Sequence, residues 1–221
     1  MSLATFGSGG SEPYARALRH DDQVLYLRDA RSESGSPSHA MDVSRWNEDA
    51  DETDIALLSR AQGPVLDIGC GPGRMVKAAM SLGLTALGID VSPTAVEMAT
   101  AAGLTVLGRS VFDRLPREGA WGTALLVDGN IGIGGDIPTL LARCAELIAE
   151  DGDVIVEVHD DPWRDHAYDG TVVDIRGHQS AAFPWAEIGR DSLAEKASRV
   201  GLRLAQDWET DGRCFCRLVK A

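Results

Sequence analysis

Between Val65 and Asp90 the chain carries the residues best suited to hold a small ligand. An apolar run from Val65 to Ile68, with an acid at Asp67, breaks into glycines at Gly69, Gly71 and Gly73, followed by Arg74. A helical stretch comes next, and a second apolar run, Ala86 to Ile89, ends in Asp90. Glycines at alternate positions let the backbone approach a ligand that any Cβ would push away, and the helix after them aims its free N–H groups at the same place. Asp90 lies 23 residues after Asp67, the kind of interval at which an acid ending a second strand meets a ribose diol. The chemistry implied is recognition of a nucleoside.

Glycine spacing narrows the choice. A dinucleotide site uses G-x-G-x-x-G to seat a pyrophosphate, but here Arg74 stands where the third glycine belongs, and the Gly-Lys-Ser/Thr of a P-loop is missing. The segment Leu66-Asp67-Ile68-Gly69-Cys70-Gly71-Pro72-Gly73 resembles the first motif of the Rossmann-like (class I) S-adenosylmethionine-dependent methyltransferases. The resemblance implies S-adenosylmethionine as cofactor and S-adenosylhomocysteine as product. It sets Asp67, Gly69, Cys70, Gly71 and Gly73 against the methionine part, Asp90 on the two ribose hydroxyls and Val91 on adenine. Many members carry an acid after the third strand to reach the adenine amine; Ser110 and Val111 stand there instead, with Asp113 further along. Because the cofactor is a sulfonium cation without phosphate, an acid at Asp67 suits it. The competing reading is a glycine turn that serves only strand-helix packing.

Composition limits the partners. The 221 residues suffice for one α/β domain with additions, and the 44% apolar and 25% charged content is that of a globular protein. A formal charge of −13 opposes binding to a phosphate backbone, so nucleic acid is not expected as the main substrate, and small neutral or cationic acceptors are favoured. No uncharged stretch approaches the roughly 18 to 20 residues that span a bilayer. Met1 to Ser11 lack the features of a secretory signal, so a cytoplasmic protein is expected. Cys70, Cys144, Cys214 and Cys216 are expected as free thiols, and no metal-ligand spacing is present.

The elements that must position these groups follow from periodicity. Strands are expected at 64–68, 86–89, 105–107, 121–127 and 154–158, alternating with helices, of which those opened by Ser92-Pro93 and by Asp136 with Pro138 have the clearest start signals. Asp191 is expected to cap a last helix, and two strands, 204–209 and 213–219, flank the turn Thr210-Asp211-Gly212. That order describes an α/β fold with a doubly wound, mainly parallel sheet, and the resemblance makes it seven-stranded and Rossmann-like, with a C-terminal antiparallel hairpin. Residues 1–11 read as a disordered or added tail, 12–60 as an N-terminal helical cap and 61–221 as the cofactor-binding domain. Within the cap, Val24 to Arg28 reads as a strand or a helix, Ser32 to Ser38 as a loop, and the acids from Glu48 to Asp54 chiefly as the cap of the helix that follows. Residues 159–190 are far longer than an ordinary connection and carry Trp163, Tyr168, Phe183 and Trp185. They are expected to cover the acceptor side, with a small hairpin pairing Thr171 to Ile175 with Ser180 to Phe183.

Ligands of open α/β sheets bind beyond the carboxyl ends of the strands. The fourth strand ends in Asp128, Gly129 and Asn130 within a glycine-rich loop that runs to Gly135, expected to face the methionine part and the transferred methyl group. Members of the resembled family that methylate exocyclic base amines or glutamine amides often carry an Asn/Asp-Pro-Pro-aromatic motif at this point, and its absence here lowers those acceptors. If the acceptor must lose a proton, His159 at the end of the fifth strand is the best-placed base, ahead of His39 and His178. Trp46, Asn130 and Trp185 are the candidate acceptor contacts, the aromatics serving equally well as the core of a cap. The reading is methyl transfer to a small molecule, oxygen acceptors slightly ahead of nitrogen. Its rivals are a sensor or partner subunit that binds the cofactor without catalysis and, less favoured, a nicotinamide-dependent oxidoreductase.

Overall fold

The computed structural model describes residues 5–7, 13–20, 24–31 and 39–221, with only the backbone of His39, Ala40 and Asp42. The loop expected at Ser32 to Ser38 and the His39 side chain lie outside the described residues. In chain order the strands are β1 (Val24–Asp29), β2 (His39–Asp42), β3 (Val65–Ile68), β4 (Ala86–Asp90), β5 (Val106–Gly108), β6 (Trp121–Leu126), β7 (Ile148–Val158), β8 (Asp165–Asp174), β9 (Phe183–Ile188), β10 (Leu202–Thr210) and β11 (Arg213–Lys220). The helices are α1 (Pro13–Arg19), α2 (Val43–Asn47), α3 (Glu52–Leu58), α4 (Arg74–Ser81), α5 (Pro93–Ala101), α6 (Ile137–Leu147) and α7 (Arg190–Ser198).

Seven strands form one sheet in the order β10-β11-β7-β6-β3-β4-β5, with β3 to β7 parallel and β10 and β11 antiparallel. Every residue of β3 is buried, as a parallel strand covered by helices on both faces must be. The chain winds outward from β3 to β5, then returns to the other side of β3 as β6, which opens a crevice beyond the carboxyl ends of β3 and β6. Ser92 and Asp136 cap α5 and α6 as their positions before proline-containing first turns predict. Asp191 does not cap α7; Gly189 holds that position and Asp191 falls in the first turn, where a negative charge favours the helix dipole.

A second, antiparallel sheet has the order β2-β1-β8-β9. It joins the amino-terminal part to the long interval after β7, in the register Leu25↔Asp174 to Asp29↔Gly170. Leu25, Leu27, Val172, Phe183 and Trp185 pack with Tyr14 and Leu18 of α1 into a core of their own. The amino-terminal part is therefore not only helical, and Val24 to Arg28 is a strand. The hairpin is also larger than its sequence suggests: β8 and β9 pair from Asp165↔Ile188 to Gly170↔Phe183, and residues 175–182 form its connection apart from a Val173↔Gln179 bridge. Pairing with β1 carries β8 through Asp174, an influence that local patterning cannot reveal.

Candidate functional site

A cavity lies at the carboxyl ends of β3, β4 and β6, where the winding reverses. Its walls include Asp67, Gly69, Cys70 and Gly71, then Asp90 and Val91, Ser110 and Val111, Asp128 and Asn130. Aromatic side chains of the second sheet and its helices complete it.

The glycine loop works by three different means. Gly69, Gly71 and Gly73 all have positive φ, at 74°, 54° and 96°. A Cβ on Gly69 would come within 2.7 Å of the Asn130 amide, and one on Gly73 within 2.4 Å of Leu104 Cδ1, so these two make room for protein. At Gly71 the nearest group is the Tyr14 hydroxyl at 3.5 Å, and this residue faces the cavity. Gly73 does not line it. Cys70 is tucked toward Gly88, where an added Cβ would meet its Sγ at 2.6 Å, and burial pushes its thiol well above the ordinary range.

Asp90 is aimed by the backbone on either side of it. Oδ2 accepts a hydrogen bond from Gly71 N at 2.9 Å and Oδ1 one from Ser92 N at 2.7 Å. Burial raises its pKa, while the N–H groups of Ser92, Gly71 and Val91 oppose the rise. Each oxygen keeps a lone pair, so the carboxylate can accept from two adjacent hydroxyls. Asp67 has no such support. It is 2% exposed, its Oδ2 has no hydrogen-bond partner, and burial reinforced by Asp128 and Asp90 pushes its carboxyl up to about 8.

Beyond β6, Arg74 and Asp128 of the cavity wall belong to an ion network that continues behind it. Arg74 pairs with Asp54 and with Asp128. Arg213 on β11 holds Glu157 through two hydrogen bonds of 2.8 Å and reaches Asp54 at 2.9 Å and Asp128 at 3.5 Å. Glu157 also accepts from Asp128 N at 2.7 Å, across a residue held at a φ of 53°. Burial would raise the Glu157 pKa, but Arg213 and the Asp128 N–H hold it below the usual value. The acids from Glu48 to Asp54 thus divide: Asp51 forms a capping box with Asp54 at the start of α3, and Asp54, with no exposed surface, also serves the network. The strand-end rule brought Glu157 to this side of the sheet, but no sequence signal joined Arg213 to it, because its partners are far away in the chain.

The glycine-rich stretch after β6 is only partly a ligand surface. Asp128, Asn130 and Gly134 line the cavity, and Asn130 Nδ2 donates to Gly69 O at 3.0 Å, tying the two loops together. Gly129 does not line it. A Cβ on Gly132 would meet Ala186 O at 2.5 Å and one on Gly135 the Pro184 Cβ at 2.9 Å, so these glycines admit β9.

The opposite wall is aromatic. Phe6, Tyr14, Trp46 and Trp185 line it with Met41, and ring centroids of 4.9 Å for Phe6–Tyr14, 5.4 Å for Phe6–Trp185 and 5.7 Å for Tyr14–Trp46 make one packed cluster. They are a core and a cavity wall at once. Phe6 falls in the stretch expected to be a tail; a single aromatic among glycine and serine carries enough apolar surface to dock there. At the β5 end Ser110 lines the cavity, whereas Asp113 accepts from Ser110 N at 3.0 Å and is engaged by its own loop.

His159 is not brought to this cavity. Its side chain is 38% exposed, and Nδ1 accepts from Asp161 N at 3.0 Å, because the isolated bridge to Gly189 turns the chain away at the end of β7. His178 pairs with Asp174 at 2.8 Å, also away from the cavity. Among the described residues there is no metal-binding cluster, the four cysteines are free, and no helix is long and apolar enough to cross a membrane.

A parallel sheet with this strand order, an acid oriented at the end of its second parallel strand and a glycine loop beside it define a Rossmann-like nucleoside-binding protein. Residues 66–112 match the family model of a methyltransferase domain. The fold is shared with an S-adenosylmethionine-dependent methyltransferase from Bacteroides fragilis solved with S-adenosyl-L-homocysteine, at 19% identity and a TM-score of 0.78 over 100% of this chain and 98% of that one. It is shared also with the 1,6-didemethyltoxoflavin-N1-methyltransferase of Burkholderia thailandensis, at 18% identity and 0.56 over 80% and 81%. The mitomycin 7-O-methyltransferase matches at 18% and 0.55 over 76% and 53%. No curated protein matches the sequence. The motif region thus matches a methyltransferase domain, and the whole chain has the fold of S-adenosylmethionine-dependent methyltransferases.

Proposed function

We propose that the protein transfers a methyl group from S-adenosylmethionine to a small-molecule acceptor. The observation that carries this is the unpartnered, buried Asp67 in a cavity that also holds Asp90 and Asp128. Such a wall gains nothing from a pyrophosphate and can ionise to meet a cationic nucleoside. When bound, the cofactor supplies an electrophilic methyl group whose departure leaves a neutral sulfur.

The chain's own residues then have distinct tasks. Asp90 holds the ribose diol, Gly71 admits the ligand against the backbone, and Val91, Ser110 and Val111 flank the base. Asp67, Asp128 and Asn130 border the methionine side. Alignment alone contributes about 7 to 11 kcal/mol to such a displacement, so the rigid tie between Asn130 and Gly69 matters more than a base. Trp46, Asn130 and Trp185 would face the acceptor, and the continuation of the cavity to Met41 and Trp46 supports an enzyme over a binding-only subunit. Oxygen acceptors stay slightly ahead of nitrogen, on the ground of the motif missing after β6. The solved relatives include an N1- and a 7-O-methyltransferase, so likeness of fold does not choose between them.

Calorimetric titration with S-adenosylmethionine, S-adenosylhomocysteine and NAD tests the cofactor. The first two are expected to bind, and Asp90→Ala to weaken both by about 1.5 to 3 kcal/mol, the worth of hydrogen bonds to a charged group. Binding of NAD in their place would end the methyltransferase reading. A screen of hydroxyl and amine acceptors with labelled methyl donor then tests the acceptor atom.

A further inference from the structure

The acids of the cavity wall differ in what neutralises them. Asp128 is met by Arg74 and Arg213, and Asp90 by two backbone N–H groups. Asp67 is buried with a free Oδ2. The titratable and charged groups that share the cavity with it are Asp90 on β4, Asp128 after β6, Cys70 on its own loop, Tyr14 from α1, Arg74 at the start of α4 and Arg109 after β5. Arg74 is committed to Asp54 and Asp128, and Arg109 donates to Arg114 O at 3.0 Å.

We propose that Asp67 is a specificity-determining residue that reads ligand charge: its carboxyl is neutral while the cavity is empty and releases its proton to solvent when a cationic group of the cofactor enters. This rests on the cofactor reading above and adds to it a coupling between binding and ionisation. A buried carboxylate without a partner is costly, and protonation removes that cost; an incoming cation makes the charged form the favoured one again. Burial, Asp128 and Asp90 push the group up to about 8, so in the empty protein at pH 7 it is about nine-tenths protonated. Aspartate has the right chemistry for this task, and an asparagine of the same shape could accept hydrogen bonds but not exchange a proton.

Proton counting tests the idea without any acceptor. Titration of the full chain at pH 7, in two buffers of different ionisation enthalpy, is expected to show release of about 0.9 proton per S-adenosylmethionine bound. The affinity is expected to rise close to tenfold from pH 6 to pH 7 and to level off above about pH 8. Asp67→Asn should bind with that proton missing from the count, which also subtracts any ionisation of the ligand's own amine. S-adenosylhomocysteine carries the ammonium but not the sulfonium, so release with it assigns the cation read as the ammonium, and no release assigns the sulfonium; both support the proposal. The thioether 5′-methylthioadenosine carries neither cation and is expected to release none. Cofactor binding without proton release, an unchanged count in Asp67→Asn, or equal release by the thioether would overturn the proposal alone. No binding of S-adenosylmethionine would overturn the cofactor reading as well. The wild-type count decides even if the variant fails to fold.

Discussion

The two halves of the cavity floor treat buried charge in opposite ways. At the ends of β6, β7 and β11, Asp54, Asp128 and Glu157 are matched by Arg74 and Arg213. At the ends of β3 and β4, Asp90 has only backbone N–H groups and Asp67 retains a free oxygen. In the first half every acid is paired with an arginine, which holds the chain together; the second is incomplete in a way that a cationic ligand can finish. The acids around the site are thus divided by where the arginines are: Asp54 and Glu157 serve the fold, Asp67 and Asp90 face the ligand, and Asp128 does both.

Removing charge from each half should sharpen that contrast. The largest effect is expected for Asp54→Ala, which leaves the Arg74 guanidinium buried with one partner fewer; loss of about 3 to 5 kcal/mol in denaturant unfolding is the expected outcome. An unchanged midpoint would mean that the complete half does not hold the fold. The Asp67 effect is smaller for each unit of pH and has the opposite sign. Its pKa is raised on folding, so the folded state binds the extra proton between about pH 4 and about pH 8, and the ligand-free protein loses stability as pH rises through that window. The slope is at most about 1.4 kcal/mol per pH unit, and Asp67→Asn should remove this contribution in unfolding curves recorded across the range. The smallest effect is expected for His159→Ala, which touches neither half: stability and S-adenosylhomocysteine affinity should each stay within about 0.5 kcal/mol. A large loss of cofactor affinity there would tie the end of β7 to the site after all.

What could be read in the sequence was local. Asp67, the glycine loop and Asp90 lie within one strand-turn-helix-strand unit, and the same short-range patterns gave the parallel strands and the caps Ser92 and Asp136. The ion network was hidden because it joins Asp54, Arg74, Asp128, Glu157 and Arg213, which no periodicity relates. Glycines misled for a different reason: Gly71 faces the cavity, but Gly73, Gly132 and Gly135 accommodate Leu104 and β9, and a glycine that admits a ligand looks the same in sequence as one that admits a side chain. The place of His159 followed the strand-end rule, and the turn made by its bridge to Gly189 took it elsewhere.

The pairing of β1 with β8 sets an order in time. Leu25 is joined to Asp174, so during synthesis β1, paired on one edge with β2, waits for its second partner, made almost 150 residues later. All five parallel strands, β3 to β7, precede that partner in the chain and emerge from the ribosome before it. The glycine loop and its acids can therefore gather while the aromatic wall is still unbuilt, and that wall is added by a sheet sewn from both sides of parallel strands that preceded it.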